Sequence, residues 1–119
     1  AAKIAGAVSR GEADRGILIC STGIGMSILA NRFKGVRASL CTDTYMAKMT
    51  RAHNDSNVLC LGGKVIGELE ALDILDAWLD TEYEAGRHSI SLELIGEAEE
   101  HLSQPITPQQ EELFHDFNR

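Results

Sequence analysis

With 119 residues and a net charge of −7 (11 Lys plus Arg against 18 Asp plus Glu), the chain is the size of one domain and too acidic for a broad nucleic-acid footprint. Apolar residues at 44% and charged residues at 24% exclude disorder over the whole length. No apolar run nears the roughly 20 residues that a membrane span needs. Cys20, Cys41 and Cys60 contain no C-x-x-C pair, which argues against a disulfide framework and a zinc site and for a reducing compartment, the cytoplasm.

Residues 1–10 read as helix, with Ile4 and Val8 on one face and Gly11 ending it. Lys3 and Arg10 lie where a secretory signal would need a long apolar stretch, so that reading is rejected. Gly16–Cys20 is a short continuous apolar run, expected as a strand buried on both faces. A small-residue turn, Ser21-Thr22-Gly23-Ile24-Gly25, leads into a helix over about 25–33. Residues 36–41 form a second strand, and Thr42 or Asp43 caps a helix running to about Ala52. Residues 58–61 form a third buried strand, stopped by Gly62-Gly63. A helix over 68–80 sets Leu72, Leu75 and Leu79 on one face with Trp78 beside them. Gly86 breaks the chain before a last long helix, about 87–102. The tail 103–119 carries both prolines and ends in Leu113, Phe114 and Phe117, which are expected to pack on a partner subunit.

Strand, turn and helix alternate three times, which implies an α/β fold: a three-layer α/β/α arrangement with a parallel sheet, over a domain spanning 1–102. Three strands make a thin sheet and the chain opens as if inside a helix, so N-terminal strands are expected to be missing from this sequence.

In open α/β sheets, ligands bind beyond the carboxyl ends of the strands. The turn after Cys20 is the richest such end, because its amides and the following helix start favour a phosphate or a developing oxyanion. Cys20 itself reads either as a small core residue or as a thiol whose pKa falls at a helix start, making it a base or nucleophile. Cys41 and Cys60 read as core. His53, in the run His53-Asn54-Asp55, is expected in a rim loop after the helix, as a cap, a surface residue or a general acid. Gly23-x-Gly25 followed by Asp43 imitates a dinucleotide fingerprint, but Ile28 fills the third glycine position.

Three segments, ILICSTGIGMSILANRFKGVRASLC, KMTRAHNDSNVLCLGGKVIG and DAWLDTEYEAGRH, carry a resemblance. Their C-x-T-G-x-G, H-N-D-x-N-V and G-R-H motifs resemble the ribose-5-phosphate isomerase B family, relatives of which include the galactose-6-phosphate isomerase subunits. The resemblance covers roughly residues 1–98. It implies a flavodoxin-like or Rossmann-like sheet, a homodimer or tetramer with active sites at the subunit interface, and no cofactor. It also implies interconversion of aldose and ketose phosphates through an enediolate. By the same resemblance Cys20 is the base, Thr22 and the amides of Ser21, Gly23, Ile24 and Gly25 hold the enediolate oxygen, and His53 opens the sugar ring. Asn54 binds sugar hydroxyls, while Lys64 and Arg87 hold the phosphate. Two positions depart from the family pattern. Met26 stands where some members carry a glutamate base, which puts this chain in the cysteine type, and Ser91 stands where many have a second phosphate arginine. A non-catalytic sugar-phosphate-binding or partner subunit is the alternative reading.

Overall fold

The computed structural model describes residues 1–102, Pro105 and 107–114. The chain divides into two compact units, Ala1–Tyr83 and Glu84–Arg119. The second unit includes the last long helix.

The first unit runs α1 (Ala2–Ser9), β1 (Gly16–Cys20), α2 (Ile24–Ala30), β2 (Ala38–Leu40), α3 (Thr44–Asn54), β3 (Val58–Gly62) and α4 (Glu68–Asp80). Its sheet is parallel, in the order β1-β3-β2, with Gly16 opposite Val58 and Cys20 opposite Gly62. All five residues of β3 are buried because β3 is the central strand, covered on both sides. Val58 and Cys60 join Ala5, Val8, Leu18 and Ala30 under α1 and α2. Leu59 and Leu61 point the other way and join Cys41, Ala47, Ile74 and Trp78 under α3 and α4. This is the three-layer α/β/α arrangement that the alternation of elements implies. Cys41 and Cys60 are core residues, as expected.

Several local expectations are corrected. β1 is buried on one face only: Gly16 and Leu18 are buried, whereas Ile17 and Ile19 are exposed. Among the described residues α1 and α2 pack on one face of β1, while Ile17 and Ile19 on the other face lie outside the cluster under α3 and α4. α2 ends at Ala30, three residues early, because the next turn tightens: the Arg32 amide bonds Leu29 and the Phe33 amide bonds Ala30, each three residues back, while the Asn31 side chain donates to the Ala38 carbonyl at 3.0 Å and accepts from its amide at 2.8 Å. On α4 the buried stripe is Ile74 and Trp78 with Ala71 and Leu75 beside them, at i, i+3, i+4 and i+7, while Leu72 and Leu79 are exposed.

Trp78 is fully buried and its indole N–H donates to the Ser56 hydroxyl at 2.8 Å. Ser56→Ala removes the acceptor and leaves the indole N–H buried without that partner, so we expect a loss of about 1–3 kcal/mol in denaturant unfolding. An unchanged midpoint would show that the bond contributes nothing.

The second unit holds α5 (His88–His101), α6 (Pro108–Glu111) and a 3-10 turn over Glu112–Phe114. A capping box starts α6: the Thr107 hydroxyl accepts from the Gln110 amide at 3.2 Å, and the Gln110 side chain accepts from the Thr107 amide at 2.7 Å. Phe117 lies outside the described residues.

Candidate functional site

The helices after two adjacent strands leave on opposite faces. α2 follows β1 on the α1 side of the sheet, whereas α4 follows β3 on the α3 side. Such a divergence beyond the carboxyl ends of β1 and β3 marks the place where ligands bind in sheets of this kind. The sequence fills it with Cys20 to Gly25 from β1 and Gly62 to Lys64 from β3.

These two segments are tied together. The Gly63 amide donates to the Cys20 carbonyl at 2.7 Å, and the Lys64 amide to the Ser21 carbonyl at 3.0 Å. Gly23 takes φ of +81°, the left-handed region that favours glycine. A Cβ there would also lie 2.6 Å from Leu40 Cδ1. The closest approach is at Gly62, where a Cβ would stand 2.6 Å from the carbonyl oxygen of Thr22. The Thr22 hydroxyl accepts from the Ile24 amide at 3.2 Å and keeps its own proton to donate. Ser21, Thr22, Ile24 and Gly25 are exposed on the outer side of the turn.

Cys20 is half-buried at the end of β1, and its Sγ accepts from the Gly23 amide at 3.1 Å. Desolvation is the largest single influence and raises its pKa, but the amides of Gly23, Met26 and Thr22 together outweigh it. The net effect holds the thiol below the ordinary cysteine range. Burial instead pushes Cys41 to about 11, with Asp43 and Cys60 adding, and Cys60 to about 11, with Cys20 adding. Iodoacetamide at neutral pH is therefore expected to modify Cys20 alone in the native protein. Equal labelling of all three thiols in a peptide map would show that the turn does not activate Cys20.

His53 and Asn54 lie elsewhere. The structure places them in the last turn of α3, not in a loop after it, both half-exposed. α3 starts at the carboxyl edge of the sheet, after Leu40, and its eleven residues carry the chain about 16 Å toward the amino edge. There the Asn57 carbonyl accepts from the Gly16 amide, at the start of β1. Within one chain, then, Cys20 and His53 stand at opposite edges of the sheet. Lys64 is exposed, with its backbone against Ser21, and Arg87 is exposed in the second unit, at the residue before α5.

The remaining residues of the H-N-D-x-N run have structural partners. Asp55 bonds two arginines, Ser56 accepts from Trp78, and Asn57 accepts from the Arg37 amide at 2.7 Å and donates to the Gly35 carbonyl at 2.9 Å. Sequence reading missed two contributors at the turn, Gly62 against Thr22 and the Met26 amide toward the thiol. The first follows from strand register, and the second belongs to a backbone that no side-chain pattern marks.

Comparison with known proteins supplies the context. Residues 1–95 match the family described as Ribose/Galactose Isomerase. Ribose-5-phosphate isomerase B of Escherichia coli (strain K12) is 52% identical over 95 residues, covering 80% of this chain and 64% of that protein. D-erythrulose-4-phosphate isomerase of Pectobacterium atrosepticum is 47% identical over 93 residues, covering 78% and 61%. The structure of ribose-5-phosphate isomerase B from Clostridium thermocellum superposes with a TM-score of 0.83 at 53% identity, covering 85% of this chain and 68% of that one. The chain thus spans less than two thirds of the length of these two curated relatives.

Proposed function

The chain belongs to the ribose/galactose isomerase family, and from that premise we propose that it interconverts an aldose phosphate and the matching ketose phosphate by moving a proton between C1 and C2. The observation that carries this reading is the Cys20 thiol, held below its ordinary pKa beside a turn of exposed amides. In the aldose-to-ketose direction the thiolate removes the proton from C2. The electron pair moves into a C1–C2 double bond, and negative charge collects on O1. The turn from Ser21 to Gly25 and the Thr22 hydroxyl donate to that oxygen, where charge develops. The Cys20 thiol then returns the proton to C1, while the hydroxyl proton on O2 passes to O1, leaving the ketone at C2. Oxidation at one carbon balances reduction at the other, so these groups carry the step without a cofactor.

His53 opens the furanose ring as acid and base, and Asn54 bonds sugar hydroxyls. Their separation from Cys20 within one chain supports a composite site, in which His53 and Asn54 of a second copy complete the crevice of the first. We therefore assign a homodimer. Lys64 and Arg87 hold the phosphate, the first as a point charge and the second as a two-pronged donor. Three free thiols support a reducing compartment such as the cytoplasm.

The test is incubation of the full protein in D2O with four-, five- and six-carbon aldose phosphates, followed by NMR. Ketose phosphate is expected to form, with deuterium at C1 wherever the transferred proton exchanges on the thiol. Sugar-phosphate binding in calorimetry without any isomerisation would instead support the non-catalytic subunit.

A further inference from the structure

Asp55 is the only non-glycine residue with positive φ among the described residues, at φ 47° and ψ 44°. It ends α3 by closing its amide on the Arg51 carbonyl at 3.3 Å, while the Ser56 amide closes on Thr50 at 3.3 Å. Glycine is the ordinary residue at such a turn, so a side chain there implies something for it to do. The Asp55 carboxylate is gripped from two sides. Arg51 Nη1 donates to one oxygen at 2.9 Å, and Arg37 Nη2 approaches the other at 3.5 Å. Arg37 Nε also donates to the Asp55 carbonyl at 2.9 Å.

Arg51 is 5% exposed, and it reaches further: Nη1 donates to the Ser56 carbonyl at 2.6 Å and Nε to the Thr81 carbonyl at 3.3 Å. The turn is thereby fixed to the start of β2, through Arg37, and to the end of α4, through Thr81. His53 and Asn54 are the two residues immediately before it. We propose that Asp55, clamped between Arg51 and Arg37, is a positioning residue that sets His53 for sugar-ring opening. This inference rests on the isomerase reading above. A composite site needs such a device, because His53 must meet a crevice built on another chain, and a misplacement of about 1 Å can cost on the order of 10²-fold in rate.

A purely structural cap makes a different prediction, and Asp55→Gly separates the two. Glycine adopts this φ without strain, so the turn still closes, but both arginines lose the carboxylate between them and keep only backbone carbonyls. With ribose 5-phosphate, which must open its ring, kcat is expected to fall on the order of 10²-fold with little change in KM. With a four-carbon aldose phosphate, whose O4 carries the phosphate so that no furanose forms, kcat is expected to stay near wild type. Asp55→Asn tolerates the left-handed turn and keeps an acceptor for Arg51, and should restore most of the ribose 5-phosphate activity. Arg37→Gln removes only the outer half of the clamp and should give a smaller loss with the same substrate dependence, whether or not Asp55→Gly folds. Equal rates for Asp55→Gly and wild type on ribose 5-phosphate, or an equal fall on both substrates, would overturn the positioning role and leave the isomerase reading standing. A wild-type protein that isomerises no sugar phosphate would overturn that reading, and this inference with it.

Discussion

Cys20→Ala is expected to lower turnover of a sugar phosphate by about 10²–10⁴-fold, the usual contribution of a placed proton-transfer group. The methyl of alanine accepts no proton, while the amides of the turn remain in place. The side chain is half-buried at the end of an edge strand, so the melting temperature should move little. Cys20→Ser sharpens the test, because it keeps the size and loses the acidity. Its hydroxyl does not ionise in the working range, so it should be nearly as inactive as alanine. The pH dependence has a definite sign. A base works deprotonated, and Cys20 titrates below the ordinary cysteine range because of the Gly23, Met26 and Thr22 amides acting against desolvation. Activity should therefore be present above that lowered pKa and be lost as pH falls through it. That acid limb should vanish in Cys20→Ser. Activity within threefold of wild type in Cys20→Ala would make Cys20 a packing residue.

Gly62→Ala is the second large effect, and it acts without touching a reacting atom. The added methyl would sit 2.6 Å from the Thr22 carbonyl oxygen and 2.7 Å from its carbon. Both are backbone atoms, and the turn is also pinned by the Gly63 to Cys20 and Lys64 to Ser21 bonds. No rotamer change relieves the clash, so the turn itself must move away from β3. A shift of this size takes the turn amides away from the thiol and from the enediolate oxygen, and we expect a rate loss on the order of 10²-fold. Overpacking should also lower stability by about 1–3 kcal/mol. Gly67→Ala is the matched control, since its added methyl meets nothing within 4 Å. If Gly62→Ala retains full activity and a normal reaction of Cys20 with iodoacetamide, the close packing of the turn on β3 is irrelevant to the chemistry.

The parts of the fold set by local pattern were legible in the residues. The run at 58–61 is buried on both faces because it is continuous and apolar, and the structure makes it the central strand. Asp43 caps α3 by accepting from the Met46 amide at 2.8 Å, as an aspartate at that place should. The limits of α4 follow from its pattern, 68–80. What failed depends on neighbours distant in sequence. β1 has the same apolar character as β3, yet Ile17 and Ile19 are exposed, because what packs on each face is not written in a strand's own residues. The early end of α2 comes with a tightened last turn, in which Arg32 and Phe33 bond three residues back, and with an Asn31 side chain tied to Ala38.

The site divides along the same line. The Cys20 turn could be read because small residues after a strand are a local signal. His53 and Asn54 could be picked out by type and motif, but their distance from Cys20 could not. It follows from an antiparallel return of α3 along the sheet, which places residues 33 positions apart at opposite edges. Gly62 looked like a stop signal, and only the register that sets it opposite Cys20 gives it a further role. Asp55 looked like part of a recognition motif, and its two arginine partners show instead what holds the motif in shape.

Mixing two inactive variants tests the central claim most directly. Cys20→Ala and His53→Ala chains are unfolded together, refolded as a mixture, and assayed with ribose 5-phosphate, with hybrid dimers counted by native mass spectrometry. In a two-fold dimer with composite sites, each hybrid carries one doubly damaged site and one that is wild type throughout. Half of the dimers are hybrids, so the mixture should recover about a quarter of wild-type activity although each parent is nearly inactive. A mixture that contains hybrids and is no more active than its parents would contradict a site assembled from Cys20 of one chain and His53 of the other.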